Sequence, residues 1–185
     1  MSNSYAQPIF RTAELADGLS IVDQLLGLAD TSGLEVDFEA RARSQQDLDP
    51  LFAALPAADR WTEENGDGLS ATANSSSPHL PAWLQSWGMA PDIVPALLPA
   101  VGGIPAALRW DFAGWPEAPE AGLGGGGSRG AFVTLCMNVR DLDLTEPSAD
   151  HTVFVHVKQF EAERAPWLAA RVGCRVIGDL VMAPH

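Results

Sequence analysis

The amino-acid sequence predicts an α+β fold, a single domain in which an antiparallel or mixed sheet packs against several short helices. Three observations predict this class. A segment with helical periodicity at 12–29 is followed by strict alternation of apolar and charged residues at 34–43. Two valine-rich segments, 132–139 and 152–158, form a clear antiparallel hairpin. The long, irregular connections between the elements disfavour a doubly wound parallel sheet.

The N-terminal half begins with the amphipathic helix and the alternating strand. Glu14 and Asp17 lie in the first turn of the helix, where the helix dipole favours acidic side chains. The strand at 34–43 has one apolar and one charged face, as expected where one side of a sheet meets solvent. An apolar stripe predicts a short helix at 47–58, and residues 69–73 form a candidate short strand.

The middle of the chain is rich in tryptophan, proline and glycine. Trp83 and Trp87 are four residues apart, the spacing that brings side chains together on a helix. Residues 80–87 are therefore predicted to form one or two helical turns. An apolar helix interrupted by prolines is predicted at 92–101, followed by a strand at 108–112.

A glycine tract precedes the hairpin. Gly122, Gly124 and Gly127 satisfy the pattern G-x-G-x-x-G, but a phosphate-binding loop needs a strand before the glycines and a helix after them. Here an acidic segment with prolines precedes the tract and a strand follows it. Residues 116–130 are therefore predicted to be a flexible surface loop within one domain that spans 1–185.

After the hairpin, the sequence predicts one more helix and one more strand. Pro166 and Gly173 bracket a short helix at 167–172, since proline is favoured near the start of a helix and glycine just past its end. A closing strand is predicted at 176–182.

The chain is strongly acidic. Its 185 residues include 24 acidic and 11 basic ones, a formal net charge of −13, and residues 1–100 carry −10 of that charge. This balance disfavours binding to nucleic acid or to an anionic membrane, because both require a basic surface. It is compatible with a basic protein partner, with metal binding, or simply with solubility. No motif indicates a cofactor.

Neither a secretory signal nor a membrane helix is predicted. The N-terminus has no apolar segment of the kind found in signal peptides, and the most apolar stretch, 93–108, is short and broken by prolines. Cys136 and Cys174 have no metal-ligand spacing, and the histidines form no zinc motif, so no metal site is predicted. A reduced, cytoplasmic protein is the default expectation. The preference for arginine over lysine suggests a GC-rich bacterium.

One constellation with catalytic chemistry is predicted on the hairpin. If the turn is centred near residue 146, Cys136 lies directly opposite His156 on the polar face of the sheet. A protonated histidine lowers the pKa of a neighbouring thiol, and Asn138 would orient the imidazole. These three residues form a candidate nucleophilic site. The alternative is an ordinary solvated face of an antiparallel sheet.

Aromatic and acidic residues of the N-terminal half predict a partner-binding surface. Aromatic side chains dominate binding energy at protein interfaces, and acidic charge steers a basic partner. The candidate partner-binding residues are Trp61, Glu63, Glu64, Asp67, Trp83 and Trp87. For the tryptophans the alternative is packing in the core. Asp141 and Asp143 are interpreted as a charged strand end.

The sequence favours a small, acidic, non-enzymatic protein that docks on or neutralises a protein partner, as an immunity protein or an inhibitor does. Its support is the negative charge, the weak catalytic motifs and the aromatic, irregular middle segment. Two alternatives stay open. One is a small enzyme with Cys136 as nucleophile and His156 as base, and the other is a small-molecule-binding domain with a pocket between sheet and helices.

Overall fold

The computed structural model describes residues 4–62, 80–124 and 131–183. Within them the predicted fold class is confirmed, because one antiparallel sheet of eight strands is accompanied by four α-helices. The strands are β1 (Ser4–Thr12), β2 (Glu35–Ala42), β3 (Asp59–Thr62), β4 (Ala82–Met89), β5 (Ala106–Asp111), β6 (Phe132–Met137), β7 (His151–Lys158) and β8 (Val181–Met182). The helices are α1 (Leu15–Leu28), α2 (Gln45–Ala54), α3 (Val94–Val101) and α4 (Arg164–Arg171). The strand order is β3-β4-β2-β5-β6-β7-β1-β8.

The four helices pack on one face of the sheet, the helix face, and enclose the main core. Gly18 allows α1 to approach β6 closely, because a Cβ atom at this position would lie 3.1 Å from Cδ1 of Leu135. Four of the five predicted helices, those at 12–29, 47–58, 92–101 and 167–172, are confirmed as α1 to α4, with ends shifted by a few residues. Each helix contributes a fully buried leucine to the core: Leu25, Leu51, Leu97 and Leu168.

Strand β2 shows how the sheet acquires a second, polar face. Val36 and Phe38 are buried in the core on the helix face, and the charged residues between and beside them point to the opposite side. The alternation predicted at 34–43 is thereby confirmed. We call the side opposite the helices the open face. Its central residues on β4, β2, β5 and β6 are Trp83, Gln85, Trp87, Asp37, Glu39, Ala107, Arg109 and Thr134.

The connection between β6 and β7, residues 138–150, covers one part of the open face. Leu144 from this connection is fully buried against Cys136 and Phe154 in a small second apolar cluster. Val139, which follows the end of β6 at Met137, also lies in this second cluster. Toward β4, Trp87 on the open face is exposed.

The prediction of a helix at 80–87 is wrong, since residues 82–87 lie in β4. This strand pairs with β2, with Arg41 opposite Trp83 and Glu39 opposite Gln85. A spacing of four residues places Trp83 and Trp87 on one side of a helix, but it is also an even number, which places them on one face of a strand. Ala82 and Leu84 are buried and alternate with residues of the polar face, and this period of two is that of a strand and not of a helix.

Strands β1 and β3 were not predicted, and β8 is shorter than the closing strand expected at 176–182. In β1 the period-2 signal is interrupted by a register shift between Pro8 and Phe10, where proline cannot donate a ladder hydrogen bond. Of the loop predicted at 116–130, the described part contains a short 3-10 turn and an isolated bridge between Ala118 and Leu123. The strand predicted at 69–73 lies outside the described residues.

Among the helices of the described ranges, none has the length and apolar character needed to cross a membrane.

Helix α2 begins with a capping box, and its loss should be measurable. The Ser44 side chain accepts a hydrogen bond from the Asp47 amide at 3.2 Å, and the Asp47 carboxylate accepts one from the Ser44 amide at 2.9 Å. Ser44→Ala is expected to lower the free energy of unfolding by about 1 kcal/mol. Urea unfolding measures this change. Ser20→Ala, at an exposed position of α1, is the control and should shift stability by less than about 0.5 kcal/mol. Equal effects of the two substitutions would contradict the assigned cap.

Candidate functional site

The hairpin of β6 and β7 differs in register from the sequence prediction. Phe132 lies opposite His156, and Cys136 lies opposite Thr152. The predicted pairing of Cys136 with His156 is therefore wrong. The two residues share the open face but are separated by four positions along the strands, about 13 Å. The imidazole therefore cannot act directly as a base for this thiol.

The register differs because the connection after β6 is folded rather than symmetrical. Asn138 adopts a left-handed backbone with φ of 57°, which ends the strand. The carbonyl of Asn138 then accepts a hydrogen bond from the Ser148 amide, and Val139 bridges to Pro147. These contacts fix how the chain returns to β7. The sequence carries no periodic signal for them.

Cys136 is fully buried in the second apolar cluster. Burial raises the pKa of this thiol, and the negative charges of Asp141, Glu39 and Asp143 raise it further. A thiolate nucleophile requires the opposite shift and some access to solvent. The geometry therefore gives no support to Cys136 as a nucleophile.

Asn138 holds two loops together and does not reach the imidazole of His156. Its amide nitrogen donates hydrogen bonds to the carbonyl oxygens of Gly102 and Ile104, at 2.9 and 2.8 Å. This side chain ties the end of β6 to the turn between α3 and β5. Its observed role is structural.

His156 lies on the open face with its ring buried. Its Nε2 atom shares a hydrogen bond of 2.8 Å with Oγ1 of Thr134, and its ring meets Phe132 edge-on at 5.7 Å. Its carbonyl oxygen accepts a hydrogen bond from the indole of Trp115 at 2.8 Å. These contacts fix the ring at one end of a groove.

This groove, of about 330 Å³, crosses the open face over strands β4, β2, β5 and β6. Ala107 lies between Glu39 on β2 and Cys136 on β6, so that a short side chain leaves a depression among longer ones. Leu142 and Asp143 of the β6–β7 connection form one side. The lining residues are Asp37, Phe38, Glu39, Trp83, Gln85, Trp87, Ala107, Arg109, Thr134, Leu142, Asp143 and His156. We call this the open-face groove.

Arg109 is the central cation of the groove and is already neutralised. Its Nη2 and Nε atoms donate to the same oxygen of Asp37, at 2.6 and 3.2 Å. Its guanidinium also lies 5.4 Å from the ring centre of Trp87 and 5.0 Å from that of Phe132. These contacts hold Arg109 and Asp37 in place. Two further carboxylates line the groove.

Glu39 and Asp143 are those carboxylates. Glu39 accepts a hydrogen bond of 2.8 Å from the amide of Gln85. Burial raises the pKa of Glu39, the charge of Asp143 adds to this effect, and Gln85 and Arg109 counteract it. Within the described ranges, neither Glu39 nor Asp143 forms an ion pair. Among the described residues, the lining of the groove thus carries three carboxylates and one guanidinium.

The raised pKa of Glu39 predicts that its charge opposes folding. The folded state holds the proton more tightly than the unfolded state, so the stability linked to this group is present at low pH and is lost as the pH rises through the raised pKa. Glu39→Gln removes that charge and can still accept the hydrogen bond from Gln85. We expect the variant to be more stable than the native protein near pH 7, with the difference disappearing below about pH 4.

Urea unfolding at the two pH values checks this prediction. Asp23→Asn, at an exposed position of α1, is the matched control and should show no such pH-dependent gain. A Glu39→Gln variant that is less stable than the native protein near pH 7 would show that the ionised carboxylate stabilises the fold.

The predicted partner-binding residues are only partly within the described chain. Trp83 and Trp87 both line the groove, and the Trp87 side chain is 49% exposed. The Trp83 ring lies 5.6 Å from the guanidinium of Arg41. The backbone of Trp61 pairs with that of Trp83 across β3 and β4. The other three, Glu63, Glu64 and Asp67, lie outside the described residues.

Of the other residues that line the groove, His156 was predicted as a site residue and the rest were not. The alternation at 34–43 indicated that Asp37 and Glu39 lie on a polar face, but not which strands flank them. Asp143 was interpreted as a charged strand end, whereas it lies in the connection that borders the groove. No group of three or more histidine, cysteine, aspartate or glutamate side chains in the described ranges is arranged to hold a metal ion.

Neither the protein-family models, nor the curated proteins, nor the solved structures that were compared with the chain give a match.

The groove combines aromatic walls with surplus negative charge, an arrangement suited to binding a cationic group. Carboxylates attract the charge, and indole rings interact favourably with a cation over their faces. An anion near Arg109 would meet the negative charge of Asp37, which already accepts two hydrogen bonds from this guanidinium. The chemistry of the groove therefore favours cations over anions.

Proposed function

We propose that the protein is a non-enzymatic binding protein that docks on a basic region of another protein through the open face of its sheet, in the manner of an immunity protein or an inhibitor. The observation that carries this proposal is the open-face groove, where Glu39 and Asp143 lie beside Trp83 and Trp87. Trp83 and Trp87 are two of the predicted partner contacts, whereas the carboxylates beside them, Glu39 and Asp143, were not among the predicted residues.

The physical roles of the two kinds of side chain are complementary. Trp87 is exposed and Trp83 is half-buried. Tryptophan side chains are large and rigid, and such residues supply much of the binding energy at protein interfaces. Carboxylates steer a basic partner toward the surface and reject acidic ones. The net charge of −13 extends this steering over the whole molecule.

The catalytic alternative has less support from the geometry. Its nucleophile, Cys136, is buried, and its base, His156, lies four strand positions away. The small-molecule alternative placed a pocket between sheet and helices, whereas the open-face groove lies on the opposite side of the sheet.

Affinity capture with paired variants tests the proposal. The native protein, the groove variant Glu39→Gln/Asp143→Asn and the control Asp23→Asn/Asp179→Asn are immobilised and exposed to host lysate at low and high salt. The two variants change the net charge equally, but Asp23 and Asp179 are exposed residues outside the groove. We expect one stoichiometric basic protein, bound at low salt by the native and control proteins and lost from the groove variant.

The captured protein is then purified and its affinity measured by calorimetry. The groove variant should bind at least about tenfold more weakly than the control. Equal affinities of the two variants would overturn the open face as the docking surface. Capture of no protein at either salt concentration would overturn the proposed function.

A further inference from the structure

We infer that the open-face groove is a receptor for a single arginine side chain that the partner protein inserts between the tryptophans of β4 and the carboxylates of Glu39 and Asp143. This inference rests on the proposed function, because it takes the arginine to belong to the docked partner.

The size of the groove fits one long side chain. Its volume of about 330 Å³ is at the lower end of the range for small-ligand sites, roughly 300–1,000 Å³. The side chain at its floor, Ala107, is short and apolar, and Leu142 forms an apolar side wall. An aliphatic stem can lie along these residues with its charged head at the polar positions around them.

The charge of the groove fits one cationic head. Asp37 is paired with Arg109, but Glu39 accepts its described hydrogen bond from the neutral amide of Gln85. Asp143 lies close enough for its charge to affect Glu39. A single cation between Glu39 and Asp143 would relieve the repulsion between them and compensate for the partial burial of Glu39.

The planar guanidinium suits this site better than the ammonium group of lysine. A guanidinium stacks on an indole ring while donating hydrogen bonds to carboxylates in its own plane, which a compact ammonium group cannot do. The open face already binds one of its own arginines in this way, since Arg109 pairs with Asp37 while lying over Trp87 and Phe132. Arg41 lies over Trp83 and donates to the carbonyl oxygen of Thr145.

Small probes test the selectivity of the groove directly. The amides of N-acetyl-arginine, N-acetyl-lysine and N-acetyl-citrulline are titrated into the protein, and the indole N–H resonances of Trp83 and Trp87 are followed by NMR. Citrulline has nearly the shape of arginine without its charge. We expect the arginine derivative to bind in the millimolar range and each of the other two at least about tenfold more weakly. Equal binding of citrulline or lysine would overturn the inference.

A variant that fills the groove without changing its charge provides the second test. Ala107→Leu is expected to abolish the response of the tryptophans to the arginine derivative, with thermal unfolding confirming that the variant is folded. Ala16→Leu, at an exposed position of α1, is the control and should respond as the native protein does. Unchanged binding by Ala107→Leu would place the arginine elsewhere.

The same variants separate this inference from the proposed function. If Ala107→Leu still captures the partner while Glu39→Gln/Asp143→Asn does not, the partner docks on the open face without an inserted arginine, and the inference fails alone. If the arginine derivative binds but no partner is captured, the proposed function fails while the selectivity of the groove stands.

Discussion

Arg164→Met is expected to lower the free energy of unfolding by about 3 kcal/mol. Arg164 is fully buried at the start of α4. Its guanidinium donates to the carbonyl oxygens of Pro116 and Gly124, the latter at 2.7 Å, and its Nε atom lies 3.4 Å from the Glu161 carboxylate. Methionine fills a similar volume but leaves these acceptors without their donor. The segment 116–124 also loses its attachment to α4.

Denaturant unfolding of Arg164→Met measures this loss. Arg164→Lys keeps the charge but lacks the planar fork that reaches two carbonyls, so its loss of stability should be intermediate. Arg175→Met, at an exposed position, is the control and should stay within about 0.5 kcal/mol of the native protein. If Arg164→Met unfolds like the control, the buried guanidinium contributes little to holding the segment.

Alkylation of Cys136 by iodoacetamide is expected to be about a thousandfold slower in the native protein than in the unfolded chain, or slower still. The thiol is fully buried and its pKa is raised by that burial, so reaction requires the surrounding structure to open. Only the small open fraction reacts at any moment. The slow rate would reflect local or global unfolding rather than the chemistry of the thiol.

Mass spectrometry of the labelled peptides provides the measurement. Cys174 is only partly buried and should react first, although partial burial raises its pKa as well. Cys174→Ser then isolates the slow reaction at Cys136. Rapid alkylation of Cys136 with an apparent pKa below the ordinary thiol value of about 8.5 would restore the nucleophile hypothesis.

Sequence patterns correctly predicted the helices and strands in which buried residues recur at the period of the element, about 3.6 residues in a helix and two in a strand. Strand β2 and helix α1 each place apolar residues at the spacing of the element, so local periodicity was sufficient. The prediction for the residues of β4 was wrong because the spacing of Trp83 and Trp87 is compatible with a helix and with a strand. Strand β1 was not predicted because the register shift after Pro8 interrupts its alternation of inward and outward residues.

The candidate site was harder to predict because it depends on strand order. Asp37 lies opposite Arg109, and Arg109 lies opposite Thr134, in strands that are far apart in sequence. Nothing in the local pattern of β2 indicates that β4 and β5 flank it. The hairpin residues were nearer in sequence, but the left-handed turn at Asn138 set a register that periodicity does not encode.

The position of β1 determines when folding can be completed. This first strand pairs with β7, with Thr12 opposite His151, and its other edge pairs with β8. During synthesis at about 5–20 residues per second, β1 therefore waits roughly 7–30 s until its first partner strand, β7, has been synthesised. Ile9, buried in the finished core, has no sheet to join during this interval. A nascent chain with this strand unpaired is the form most exposed to aggregation and the one that a chaperone would have to shield.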